Sequence, residues 1–147
     1  MKYLILMVLA SFLISCNSDK NKQQQFYKAT RNENSAVLSL KIDNDQFYGR
    51  YKVRYADGII DSGNVRGVII GDTLRGRFKY ISYGGNQEVK PFLLLKRGDT
   101  LRLGSGAVYK YMKIPYYTPG SIEFRTSDFQ FLPINETDFK DSDSKMK

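Results

Sequence analysis

Between positions 47 and 55 the chain alternates with a period of two. Phe47, Gly49, Tyr51, Val53 and Tyr55 fall on one side, and Tyr48, Arg50, Lys52 and Arg54 on the other. A helix would mix these sets around its circumference. A strand sends successive side chains to opposite faces, so the pattern specifies a half-buried strand with rings and valine inward and cations outward. Positions 74–80 repeat it, with Leu74, Gly76, Phe78 and Tyr80 set against Arg75, Arg77 and Lys79. Further candidate strands cover 26–31, 36–42, 65–70, 88–96, 100–103, 107–113, 121–124 and 129–132. Pro91 removes one ladder donor from the strand over 88–96, marking an edge, a bulge or a later start.

The joints carry turn chemistry: Asp57-Gly58, Ser62-Gly63-Asn64, Gly71-Asp72, Gly84-Gly85-Asn86, Gly98-Asp99 and Pro119-Gly120. Asp43-Asn44-Asp45 reads as a hairpin turn, since no twelve-residue loop with a closing glutamate follows it. This spacing suits successive antiparallel hairpins and leaves no room for crossover helices. The expected fold is all-β: a single antiparallel meander over 26–134, forming a small barrel or sandwich of about eight strands. The word GDTLR occurs at 71–75 and again at 98–102. In each copy a Gly-Asp turn delivers a threonine, an inward leucine and an outward arginine, so the copies begin two strands of the same orientation.

The ends differ in character from this body. Residues 1–15, MKYLILMVLASFLIS, have a lysine, an apolar run and a small residue before Cys16, the single cysteine. These are the parts of an export signal, and the run is short for a membrane span. Leu13-Ile14-Ser15-Cys16 resembles the lipobox of bacterial lipoproteins. That resemblance implies acylation of Cys16, cleavage before it, and a lasting membrane anchor. Residues 16–25 read as a polar tether and 135–147 as a polar tail expected to fray.

Composition narrows the chemistry. The chain has no histidine and no tryptophan, and the lipobox takes the cysteine. That excludes Ser-His-Asp or Cys-His catalysis and zinc sites built on His or Cys. Asp57 and Asp61 have the spacing to suggest a glycosidase pair, but both fall in a turn-rich stretch where aspartate accepts backbone hydrogen bonds. No cofactor motif is present, and the expectation is a protein that is not an enzyme. The formal charge is +8. On an exported chain, such an excess faces phospholipid headgroups and acidic polysaccharide.

If the cationic strands share one sheet face, Arg50, Lys52, Arg54, Arg75, Arg77, Lys79 and Arg102 gather into an anion-binding patch. Cations on strand faces also serve solubility and blunt edge pairing, and both readings stand at this point. Nucleic acid is not the expected partner, because Tyr51, Tyr55, Phe78 and Tyr80 point away from the charges. Tyr109, Tyr111, Tyr116 and Tyr117 form a remaining cluster, read as a loop packing on the barrel end or as the mouth of a pocket.

The stretches YGRYKVRY…DSGNVRG, GDTLRGRFKYIS, FLLLKRGDTLRLGSG and FQFLPI, together with the lipobox, resemble a group of small lipoproteins of Bacteroidota. The resemblance implies an envelope-anchored β-domain, most simply on the outer membrane, and assigns a role to Cys16 alone. Asp72-Thr73-Leu74 and Asp99-Thr100-Leu101 also resemble the O-glycosylation motif of that phylum, which would place sugars on Thr73 and Thr100. The functional expectation is a lipid-anchored structural or binding module that engages anionic glycan, lipid or protein through the basic face. The alternative is a carrier holding an apolar ligand inside a lipocalin-like barrel. Inhibition of lysozyme fits poorly, since lysozyme is itself basic.

Overall fold

The computed structural model describes residues 23–147. The expected export signal over 1–15, Cys16 and residues 17–22 of the expected tether lie outside the described residues. Ten strands follow in chain order: β1 (Gln25–Arg31), β2 (Asn34–Asp43), β3 (Gln46–Arg54), β4 (Ile60–Ile70), β5 (Thr73–Ile81), β6 (Gln87–Arg97), β7 (Thr100–Leu103), β8 (Val108–Tyr111), β9 (Ile114–Tyr117) and β10 (Gln130–Ile134). Among the described residues one helix, α1 (Glu136–Lys145), follows the strands.

Eight of the strands close a barrel in the order β1-β10-β7-β6-β5-β4-β3-β2, every neighbouring pair antiparallel. The expected meander is therefore a barrel and not a sandwich. It closes because β1 pairs with β2 on one side and β10 on the other. Closure leaves the barrel without an edge strand.

The alternation at 47–55 and 74–80 places residues as read. Phe47, Tyr51, Val53, Leu74, Phe78 and Tyr80 are buried, and of the cations set against them all but the half-buried Lys52 face solvent. The interior is largely aromatic. Tyr51 meets Phe78 at 4.8 Å and Phe92 at 5.3 Å between ring centroids, Phe78 stacks on Tyr80 at 4.6 Å, and Phe129 meets Phe131 at 6.0 Å. Such ring pairs contribute about 0.5–1.5 kcal/mol each beyond the area they bury.

Glycine makes room for these rings. In the register Phe47↔Gly67↔Gly76↔Phe92, two glycines lie between two rings across β3 to β6. A Cβ on Gly76 would run into the Arg66 carbonyl and lie 2.8 Å from the Phe47 ring, so only glycine fits. Both GDTLR copies form the expected turns, with Gly71 at φ 60° and Gly98 at φ 58°, and Leu74 and Leu101 enter the core.

Four expectations need correction. Ser62-Gly63-Asn64 is no turn but the middle of β4, which begins five residues earlier than the strand expected at 65. Gly63 serves there because a Cβ would run into the β5 backbone, against the Lys79 carbonyl oxygen and 2.6 Å from the Tyr80 Cα. The strand expected over 121–124 is reduced to one bridge, Ser105↔Glu123. The strand expected over 107–113 is one arm of a hairpin whose second arm, β9, was not anticipated. The tail expected to fray over 135–147 is α1. Asn135 caps it, its Oδ1 accepting from Asp138 N at 2.8 Å, and Glu136–Lys140 and Asp141–Lys145 pair along its exposed side at 2.7 Å each. Its apolar contact is narrow but sufficient: Phe139 meets Phe26 at 4.9 Å, and Ser142 and Met146 are buried.

Candidate functional site

The outside of the barrel divides into a covered part and a bare part. α1 lies over β1 and β2, burying Val37 on the outer side of the wall. The segment after β7 lies over β6, where Leu93 is 3 % exposed and borders Gly104 and Phe124. Between these covers, β3, β4 and β5 present their outer face to solvent.

That face is a grid of cations. Along β5, Arg75, Arg77 and Lys79 project outward at steps of about 6.7 Å, set by the rise of two strand residues. Across the strands, at about 4.8 Å per step, Arg50 lies beside Asn64 and Lys79, and Tyr48 beside Arg66 and Arg77. Arg66 and Arg77 are direct cross-strand partners, an arrangement in which like charges repel and cost stability. Among the described residues no carboxylate comes within ion-pairing distance of Arg50, Arg54, Arg66, Arg75, Arg77 or Lys79.

The structure thus brings together Arg50, Arg75, Arg77 and Lys79 from the expected patch and separates the rest. Lys52 is diverted to α1, where its Nζ donates to the Asp143 carbonyl at 2.9 Å and pairs with the carboxylate at 3.2 Å. Arg54 lies at the far end of β3 beside Ile60. Arg102 is half-buried on β7, and Leu95 of β6 stands between it and Thr73 of β5.

Arg66 belongs to the grid and was missed: it falls inside the strand expected over 65–70, but VRGVII carries a single cation and ends in three apolar residues, so no alternation marks an outward basic face there. Tyr48 is also on this face, with the Lys41 ammonium 6.0 Å from its ring centre, and Arg77 reaches over the Tyr116 ring at 5.7 Å. Cations and rings therefore do alternate at one place on the exterior, although the four core aromatics named above turn inward as expected. Thr73 and Thr100 are both half-buried at their turns, and the Thr73 hydroxyl donates to the Asp72 carboxylate at 3.2 Å.

A second polar cluster lies where the inner faces of β3 and β4 end. Asp57 plays the expected turn role, accepting from Ile59 N at 3.0 Å. Asp61 does not: it shares the inward parity of Gly63 and Val65, and it is buried at 5 % exposure. The Tyr55 hydroxyl donates to Asp61 Oδ2 at 3.1 Å, and Lys90 Nζ pairs with the same oxygen at 3.4 Å while lying 4.6 Å from the Tyr80 ring centre. Burial, and then the Asp61 charge, push the Tyr55 hydroxyl up to about 12. Burial works against the Lys90 charge, but Tyr80, Tyr55 and Asp61 together outweigh it and hold Lys90 above the usual lysine value. One carboxylate satisfied by two donors closes this end of the barrel.

The interior is occupied by the ring cluster. Two large grooves open at the surface, one where β1, β10 and the start of α1 meet Lys96 and Asp99 at the β6–β7 turn, the other between β1, β10 and the loop at 126–128. Among the described residues there is no group of three or more side chains suited to hold a metal ion, and no helix is long and apolar enough to cross a membrane. No protein-family model, curated protein or solved structure matches this chain.

Proposed function

We propose that the protein is a non-enzymatic envelope lipoprotein, anchored through Cys16, most simply to the outer membrane, whose β3–β5 outer face binds polyanions. The opposition of Arg66 to Arg77, in a grid without ion-pair partners among the described residues, carries this reading. Edge protection does not account for the cations, since a closed barrel has no edge there. Repulsion built into the middle of a wall is relieved when phosphate, sulfate or carboxylate groups sit over it. The ring-filled interior supports this reading over a carrier with an apolar ligand inside.

The test is binding of a soluble polyanion, dextran sulfate, at low and high salt. Binding is expected at low salt and is lost as screening rises. Replacing Arg66, Arg75, Arg77 and Lys79 together by glutamine should weaken it about a hundredfold or more, at roughly 1 kcal/mol per cation against an anionic surface. Unchanged binding by that variant would sink the proposal. The anchor has its own check: a fatty-acid analogue should label the chain, and label persisting in Cys16→Ala would refute acylation at that atom.

A further inference from the structure

β8 and β9 pair only with each other, in a two-stranded sheet apart from the barrel wall. One side of this hairpin is seated. Pro115 is buried, and the Tyr117 hydroxyl donates to the Gly104 carbonyl at 3.1 Å. The other side presents Tyr109, Tyr111 and Tyr116 to solvent, the first and last stacked at 5.9 Å. At the tip, Met112 is 78 % exposed.

The tip turn has two residues, Met112 at φ 47° and Lys113 at φ 66°. A hairpin turn with positive φ at both positions normally uses Asn-Gly, which reaches that region with little strain. Here the same backbone holds a long apolar side chain out in water. Residues 108–117 contain no carboxylate and no side-chain amide, the groups that grip sugar hydroxyls, and their only charges are Lys110 and Lys113. An apolar tip, tyrosines behind it and lysines able to reach past them make up a segment that rests in a bilayer interface. Arg77, over the Tyr116 ring, joins the foot of the hairpin to the cation grid, so both lie on one side of the molecule.

The geometry points to an anionic phospholipid bilayer as the partner of this side. Met112 and Tyr111 enter the headgroup region, Lys110 and Lys113 stay at the level of the phosphates, and Arg66, Arg75, Arg77 and Lys79 lie against the negative surface. This rests on the polyanion-binding reading and narrows its ligand to a membrane face.

The experiment uses the full chain reconstituted into vesicles, with an environment-sensitive fluorophore on Met112→Cys. A label on Ser127→Cys, an exposed loop position, is the comparison, and the chain with Cys16 alone gives the background. With vesicles containing phosphatidylglycerol, the Met112→Cys label should shift to the blue and be quenched by nitroxide-bearing lipids. Both effects should be lost in pure phosphatidylcholine, at high salt, and in the Arg66, Arg75, Arg77 and Lys79 glutamine variant, while the Ser127→Cys label stays in water throughout. A Met112→Cys label that remains solvent-like on anionic vesicles, while dextran sulfate still binds, overturns the bilayer inference and leaves the polyanion reading standing. Equal insertion into neutral vesicles overturns it as well. Loss of dextran sulfate binding too would bring down both.

Discussion

The chain turns through the left-handed region with glycine at Gly71 and Gly98, and with bulky side chains at Met112 and Lys113. At the two glycines the side chain matters less than the backbone. The turns deliver Leu74 and Leu101 into the core, and nothing lies within 4 Å of where a Cβ would be. At Met112 and Lys113 the backbone conformation costs about 1–3 kcal/mol for each residue, and what it gains is an exposed methionine. The repeated word is a device of architecture, whereas on the bilayer proposal the unmarked turn is a device of presentation.

The sharpest break between the two kinds of glycine comes from the barrel wall. Gly76→Ala would set a Cβ against the Arg66 carbonyl and the Phe47 ring. It should destabilise the fold by about 3 kcal/mol or more, at the upper end of overpacking costs, or prevent folding. Urea denaturation measures it. A loss below about 1 kcal/mol would mean that the wall can open between β4 and β5.

Alkali is the next lever, and it acts on buried tyrosines of the barrel and on Tyr117 of the hairpin alike. Burial raises the Tyr55 hydroxyl to about 12 and raises Tyr51 and Tyr117 in the same direction, whereas the unfolded value is 10.0. As pH climbs from 10.0 toward about 12, the unfolded chain loses these protons and the folded chain keeps them. The folded state then binds more protons, so stability is full below that window and falls through it. Denaturation midpoints on either side of the window should show the fall, and Tyr55→Phe should reduce it. A midpoint flat across the window would place these hydroxyls in water.

Smaller and equal effects are expected from Gly71→Ala and Gly98→Ala. Each has open space for the methyl and φ near 60°, so the cost is conformational alone, about 1 kcal/mol. Losses that differ severalfold between the two would show that the two copies of GDTLR are different devices. Asn135→Ala, which removes the cap of α1, should also cost about 1 kcal/mol.

The sequence displayed the half-buried strands through their period of two, because core and solvent faces alternate in residues as unlike as Tyr51 and Lys52, and it left barrel and sandwich both open. It concealed features where that contrast fails. Helix α1 has a single large apolar residue, Phe139, among ten, so no stripe marks it. Its only cue was the Asn135 cap with Asp138 three residues on. Strand β9 hid behind a turn without glycine or asparagine and contains Pro115. Asp61 is obscured because Ser62-Gly63-Asn64 reads as a turn, and Arg66 because the strand expected over 65–70 holds one cation among apolar residues. Once β4 is seen as one strand, parity sends Asp61 inward and Arg66 outward. Which cations share a face could not be read from spacing at all. That depends on barrel order, and the barrel sets Arg66 against Arg77 while moving Arg102 beyond β6.

The finest test of the opening comparison replaces Met112-Lys113 by Asn-Gly. Those residues reach positive φ at far lower cost, so the hairpin should tighten by about 1 kcal/mol. The hairpin pairs with no barrel strand, and its opening should be a local event. Hydrogen exchange should therefore slow at β8 and β9 amides, while the global denaturation midpoint stays within about 0.5 kcal/mol. The same variant should lose insertion into anionic vesicles and keep most of its dextran sulfate binding, since the β3–β5 grid is untouched. A hairpin made more stable yet less able to enter a membrane would show that the strain at Met112 is retained for what it exposes. If the global midpoint rises with the hairpin, the two regions fold as one unit, and the contrast between architecture and presentation fails.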